Sequence, residues 1–452
     1  MSKLPGSFPR LFPKPDQTIG GIGRALREGR TTCVEILNGC LAQVDEWEPR
    51  VHAWVVLDRE RALEQARGLD DELKDGKDRG PLHGIPIGIK DIIDVAGLPT
   101  ACGSKRWADR VADYDALVVV NLREAGAVIM GKTVTTPYAW IDPPVTRNPW
   151  NLERTPGGSS SGSAAAVACG MCLGAIGTQT GGSITRPASF CGVAGMKPGR
   201  LFNMKLIIQG IQPFAHSLDH VGPIARTVDD LRLLFDGMED PDRKKRELRA
   251  SFSNDSRPRL GRLRGFFDRR SEPAVVSALD EAARALVSQG AEILELDDPV
   301  DLERVLKDHR CIMASEAAGV HSDWLDEFPD DYPPRIRDLI LEGRSLMALE
   351  YLKAKARKDP TMGPIRHALW QGQLHALITP ATVGTAPDPS TTGDPAFNSP
   401  WSYTGLPTVS FPIGLAADNL PVAIQLVGDL LHDEELLRTA QWCEQAIRTW
   451  RQ

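Results

Sequence analysis

Apolar positions along this chain follow two different rhythms, and the change of rhythm divides it. Between residues 18 and 54 apolar side chains return every three to four positions. Thr32 and Glu35 form a capping box ahead of Val34, Ile36, Leu37, Leu41 and Val44, which predicts helix. A more polar helix is expected over 62–77, ending near Gly76. Short apolar runs then take over. GIPIGIKDII predicts a strand over 85–89 that ends at Lys90, followed by a helix over 116–126 and a buried strand over 127–130 closed by Gly131 and Lys132. Strand, crossover helix and strand in that order predict parallel pairing. The theme returns as a strand over 259–266, a helix over 274–289 and a strand over 291–296. Strands over 376–379, 408–412 and 422–427 and a closing helix from Asp433 follow.

Two stretches fit neither rhythm. Residues 162–182 are weakly polar but made of Ala, Gly, Ser and Cys, whereas a membrane helix needs about 20 mostly larger apolar residues. A buried helix flanked by loops is expected there, with Cys169 and Cys172 as small buried helix residues one turn apart; no second CxxC exists to make a zinc site. Residues 303–370 read as mostly helical with a proline-rich break over 328–334, a lid-like region. The charged stretch 242–256 reads as a surface connection. With no internal repeat and no clear linker, the expectation is one α/β domain over 1–452, a large mixed, mostly parallel central sheet surrounded by helices.

Composition narrows the function classes. The chain has 452 residues, 42% apolar and 25% charged, as a soluble globular protein does. A net charge of −7 gives no reason to expect nucleic acid or an anionic membrane as partner. The first seventeen residues carry four prolines and no unbroken apolar core, so no secretory signal is read there. Eight cysteines in such a chain suggest reduced thiols and a cytoplasmic location.

The candidate chemistry lies in TQTGGSITRPASF, residues 178–190. Gly181 and Gly182 allow close backbone approach, and consecutive N–H groups there can form an oxyanion hole around Ser183. A serine nucleophile usually relies on a histidine, yet no histidine lies between His83 and His216. A second Gly-Gly-Ser, in RTPGGSSSGSAAA, ends at Ser159 and again precedes an apolar helix. Lys90 closes an isoleucine-rich strand; if buried there it would be held neutral and could serve as a base near pH 7.

Together these stretches resemble the amidase signature family. The likeness spans 157–198 and continues in PLHGIPIGIKDIIDVAGLPTACGS, TRNPWNLERTPGGSS, SLDHVGPIARTVDD, GLPTVSFPIG and LPVAIQLVG, in that family's order. The resemblance implies the amidase signature fold with a signature core at about 80–230. It also implies a triad in which Ser183 is the nucleophile, Ser159 the bridging serine after a cis peptide and Lys90 the base. The backbone N–H groups of Thr180, Gly181, Gly182 and Ser183 would form the oxyanion hole. No metal or organic cofactor is implied.

The chain departs from the family's common form at several points. Gln179 and Thr185 stand where Asp and Arg are usual, and an arginine appears instead at Arg186. Arg186 is expected near the pocket, favouring a substrate with a carboxylate such as a small dicarboxylic acid monoamide. Ser161 replaces the commoner glycine, and Pro137 a common glutamate; Tyr138 and Trp140 beside it are expected to line the acyl side. The leading expectation is a self-sufficient amidohydrolase acting on a small-molecule carboxamide, with a homodimer expected in preference to a monomer. The alternatives are a carbamate, urea or ester hydrolase with the same triad, and the glutaminase subunit of a tRNA-dependent amidotransferase.

Overall fold

The structure is a computed structural model and describes residues 10–206, 209–239 and 257–451. The connection expected over 242–256 lies outside the described residues.

Eleven strands form one sheet: β1 (Trp54–Leu57), β2 (Pro86–Lys90), β3 (Val128–Thr133), β4 (Gly174–Gln179), β5 (Ala194–Lys197), β6 (His220–Ala225), β7 (Arg259–Leu263), β8 (Glu292–Leu296), β9 (Ala376–Pro380), β10 (Thr408–Leu415) and β11 (Pro421–Val427). Their order across the sheet is β1-β3-β2-β4-β6-β5-β10-β11-β9-β7-β8. The expected mixed sheet is present. Its expected parallel majority is not: β2 runs parallel to β3 and β4, and β7 to β8 and β9, while every other junction is antiparallel. The reason is connection length. Parallel neighbours need a crossover of about a dozen residues or more. β2 and β3 are separated by the helix Leu117–Glu124, and β7 and β8 by the helix Pro273–Ser288. β10 and β11 are joined by a short turn closed by the Ala416 N–H on the Leu420 carbonyl, which forces an antiparallel hairpin.

The weakly polar run also differs from expectation. Its helix is short, Ser161–Ala168, and stops at Cys169 because Gly170 takes a left-handed conformation (φ 70°) that ends a helix without steric cost. The chain then turns directly into β4. Cys169 and Cys172 are therefore a helix cap and a bend residue, both buried, rather than one turn of helix. β4 evades prediction because Gly174, Ala175 and Gly177 have little strand preference; the strand lies between β2 and β6, where its neighbours define it. Its small residues leave room for the preceding helix, whose entry residue Ser160 bonds the Thr178 N–H and carbonyl at 3.2 Å.

At the N-terminal side the predicted helix divides into Ile19–Arg27 and Cys33–Val51, the second capped by the expected Thr32–Glu35 box. It ends at His52 (φ 54°), so Trp54 opens β1 instead of extending the helix. The lid-like region consists of the helices Leu302–Glu327, Pro334–Ser345, Ala348–Ala356 and Lys358–Gln371. No helix among the described residues is long and apolar enough to cross a membrane.

Candidate active site

Parallel strands bring their carboxyl ends to one edge of a sheet, where ligands bind in α/β folds. Here β2 ends at Lys90 and β4 at Gln179, with Ile89 registered on Ile176. Lys90 is fully buried. Its Nζ lies 2.7 Å from Ser159 Oγ, 2.8 Å from Thr178 Oγ1 and 3.4 Å from the Thr178 carbonyl oxygen. Lys132 on β3 is equally buried, but Asp91 stands 3.0 Å from it. No carboxylate among the described residues comes within ion-pair distance of Lys90. Burial therefore holds its amine well below the usual lysine range, and the more distant charge of Asp219 opposes this only in part.

Ser159 follows a cis peptide bond from Gly158. The Gly158 carbonyl accepts from Arg186 Nη2 at 2.8 Å, and the Ser160 N–H donates to the Ser183 carbonyl at 3.2 Å. These contacts tie the two Gly-Gly-Ser loops face to face. Ser161 donates to the Gly157 carbonyl at 2.7 Å, so its extra hydroxyl is consumed within its own loop.

The loop of Ser183 is held by residues that differ from the family's common form. Gln179 Oε1 accepts from the N–H groups of Ile184 and Thr185 at 2.9 and 3.0 Å. Those are among the free donors at the start of the helix Thr185–Phe190, and a neutral amide oxygen satisfies them without a buried charge. Neither Gly181 nor Gly182 gives its N–H to an acceptor among the described residues. Gly182 is also required by space, because a Cβ there would stand 2.5 Å from Asn398 Oδ1. Thr180 donates its hydroxyl to Asp219 at 2.5 Å and its carbonyl faces His309 Nε2 at 2.9 Å. Burial pushes the Asp219 carboxyl up to about 6 and pulls the His309 imidazole down to about 4.

Above this floor lies a cavity of about 280 Å³, whose wall includes Ser183, Trp140, Arg186, His309, Arg310 and Asp394. Two of the three expected substrate residues are there. Trp140 stacks on Phe214 at 5.5 Å and carries the Arg310 guanidinium over its ring at 5.3 Å. Arg186 is buried, with Nε and Nη1 unpaired, and burial lowers it to about 10 despite the charge of Asp394. Tyr138 is not part of the wall, which corrects the expectation. Left-handed backbone at Tyr138 (φ 49°) and Ala139 (φ 62°) turns its ring onto Tyr332, 4.7 Å away, and its hydroxyl donates to Asp331. His220 is buried on β6 and His216 is exposed; neither lines the cavity. Sequence reading missed His309, Arg310 and Asp394, which belong to no motif and reach the cavity only through tertiary packing.

Comparisons with known proteins bear on family and fold. The Amidase family model matches residues 35–437. The chain is 35% identical to a glutamyl-tRNA(Gln) amidotransferase subunit of Roseiflexus sp. (strain RS-1), over 96% of each chain. A crystal structure of an amidase superposes with a TM-score of 0.85 at 31% identity, covering 95% of this chain and 99% of that one. Native peptide amidase from Stenotrophomonas maltophilia gives 0.81 at 27% identity, covering 95% and 97%. With its fold, its paired Gly-Gly-Ser loops and its full-length likeness all in agreement, this chain belongs to the amidase signature family, enzymes that hydrolyse the C–N bond of amides.

Proposed function

We propose that the chain hydrolyses a small carboxamide bearing a carboxylate, with glutamine the first candidate, through an acyl-enzyme on Ser183. The observation that carries the reading is a buried, carboxylate-free Lys90 within hydrogen-bond distance of Ser159, in loops that also hold Ser183. As a neutral amine, Lys90 keeps two N–H bonds on Thr178 and turns its lone pair to the Ser159 hydroxyl. Ser159 passes its proton to Lys90 while taking one from Ser183, whose Oγ attacks the amide carbon. The resulting oxyanion is received by the unused N–H groups of Gly181 and Gly182. Collapse expels ammonia, which takes its proton back along the same relay, since base and acid are one group in two states. Water activated by that relay then cleaves the ester, releasing the carboxylate and restoring Ser183.

Two features support an acidic substrate. The wall holds Arg186, Arg270 and Arg310 against Asp394. Glu342 pairs with Arg310 at 2.5 Å and Glu303 lies 3.9 Å from Arg270, while Arg186 has no ion-pair partner among the described residues and is left to meet a carboxylate; Asp394 suits an ammonium. The likeness to an amidotransferase subunit supports glutamine in particular, and with it a partner-dependent role more than a free-standing one. The free-standing amidase is the second reading, favoured by the 31% identical amidase structure and by the neutral Gln179 and Thr185 in the nucleophile loop. The unpaired cysteines suit a reducing, cytoplasmic setting.

The test is ammonia release by the purified chain, without ATP, from glutamine, asparagine, succinamate, neutral aliphatic amides and a carbamate. Ser183→Ala is the control. Turnover of a carboxylate-bearing amide, lost in the variant, is the expected result, and rapid turnover by the chain alone would select the free-standing amidase. Faster turnover of neutral amides would overturn the acidic substrate. Feeble glutaminase activity that rises with a partner protein would select the amidotransferase form.

A further inference from the structure

The oxyanion donors are amides of two consecutive peptide units, and each unit is gripped from behind by a side chain from a remote element. A trans peptide is planar, with its C=O and N–H pointing in opposite directions, so fixing one fixes the other. The Thr180 carbonyl belongs to the unit whose N–H is that of Gly181, and His309 Nε2 stands 2.9 Å from it. The Gly181 carbonyl belongs to the unit whose N–H is that of Gly182, and it accepts from Ser402 Oγ at 2.9 Å. His309 comes from the long helix Leu302–Glu327 and Ser402 from the helix Ser399–Thr404. Gln179, at the start of the same loop, has its Nε2 3.4 Å from the Ser402 hydroxyl.

We propose that His309 and Ser402 are positioning residues that aim the Gly181 and Gly182 N–H groups at the developing oxyanion. A carbonyl only accepts, so His309 carries its proton on Nε2 and acts as a neutral donor. A donor on the carbonyl also draws electron density through the peptide and strengthens the N–H on its other side. Thr180 cannot swing away, because its hydroxyl is held by Asp219, whose second oxygen takes the N–H groups of Phe214 and Ala215 at 2.8 and 2.9 Å. The inference rests on Ser183 being the nucleophile, and it adds the device that orients the oxyanion site.

The experiment measures turnover of p-nitrophenyl acetate, and its inhibition by phenylboronic acid, in the full chain and in His309→Ala, His309→Gln, Ser402→Ala and Ser183→Ala. His309→Ala is expected to lower kcat about 10- to 100-fold, below the full loss of an oxyanion donor, with KM within about twofold. Boronate affinity should fall by a similar factor, because the boronate is tetrahedral only in the same site. His309→Gln, which keeps a donor at that reach, should recover most of the loss, and Ser402→Ala should lose about tenfold in kcat. A rise in KM alone, or equal losses in His309→Ala and His309→Gln, would overturn the proposal. If His309→Ala does not fold, His309→Gln and Ser402→Ala decide it, and wild-type behaviour of Ser402→Ala counts against it. Activity persisting in Ser183→Ala would sink the nucleophile assignment itself, whereas a dead Ser183→Ala beside an unaffected His309→Ala sinks only this proposal.

Discussion

The floor and the wall of the cavity are built in different ways. The floor comes from strand ends and two Gly-Gly-Ser loops: Lys90 closes β2, and the loops of Ser159 and Ser183 face each other through the Ser160–Ser183 backbone bond. Bonds to backbone hold much of it, Lys90 on the Thr178 carbonyl and Arg186 on the Gly158 carbonyl. Much of the wall comes from helix faces, with Arg310 and Met313 on Leu302–Glu327 and Trp140 just after a left-handed turn, whereas His309 of the same helix reaches down to the floor at the Thr180 carbonyl. On the proposed reading, chemistry that must place reacting atoms within tenths of an ångström falls to the floor, and recognition, which tolerates side-chain adjustment, to the wall. The difference predicts that floor substitutions act on kcat and wall substitutions on substrate preference.

Lys90→Met makes the largest test. It keeps the length and burial of the side chain and removes the proposed base, so kcat/KM should fall about 10²- to 10⁴-fold with little change in melting temperature. Ammonia release by a folded variant checks it, and near-wild-type turnover would move the base elsewhere. The wild-type pH profile follows from the same group. Burial lowers the Lys90 amine, and only its neutral form accepts a proton, so kcat/KM should drop as pH falls through that depressed pKa. Above it, activity should stay flat. An acid limb that is identical in a Lys90 variant with residual activity would assign the limb to another group.

This division also explains what was legible in the sequence. Floor residues sit in local patterns, because a glycine-rich loop and a strand-ending lysine constrain neighbouring positions in the chain. Lys90 stands 2.7 Å from Ser159, the Ser183 loop faces them through backbone, and Arg186 and Trp140 line the cavity. Tyr138 misled because two successive positive-φ residues reverse the direction that sequence spacing suggests. His309 and Arg310 belong to an ordinary helix, and nothing local distinguishes them from Asp308, which faces Arg304 and Arg357 instead. The sheet divides along the same line. Strands rich in isoleucine or valine, such as β2 and β3, announce themselves, whereas β4 and β5 are small-residue strands made possible by their neighbours.

Arg310→Met sharpens the wall side of the comparison. The guanidinium is held by Glu342 and packed over Trp140, so its stem would remain while its charge is lost. KM for a carboxylate-bearing amide should rise about tenfold, the worth of one charge-assisted hydrogen bond, with kcat and neutral-amide kinetics unchanged. An equal effect on both substrate classes would make Arg310 a packing residue and leave the acidic preference to Arg186.

Thr32→Ala supplies the smallest effect and the control for both regions. Thr32 accepts the Glu35 N–H at 3.1 Å, and Glu35 returns a carboxylate oxygen to the Thr32 N–H at 3.1 Å. The helix they open packs its apolar face, including Leu37, Leu41 and Val44, into the core without approaching the cavity. Removing the hydroxyl leaves one helix-start N–H to water and should cost about 1 kcal/mol. The urea midpoint should fall accordingly, with kcat/KM unchanged under native conditions. A matching loss of activity at low urea would mean that the floor is held by global stability rather than by its own backbone contacts, and the distinction between floor and wall would then fail where it is most exposed to test.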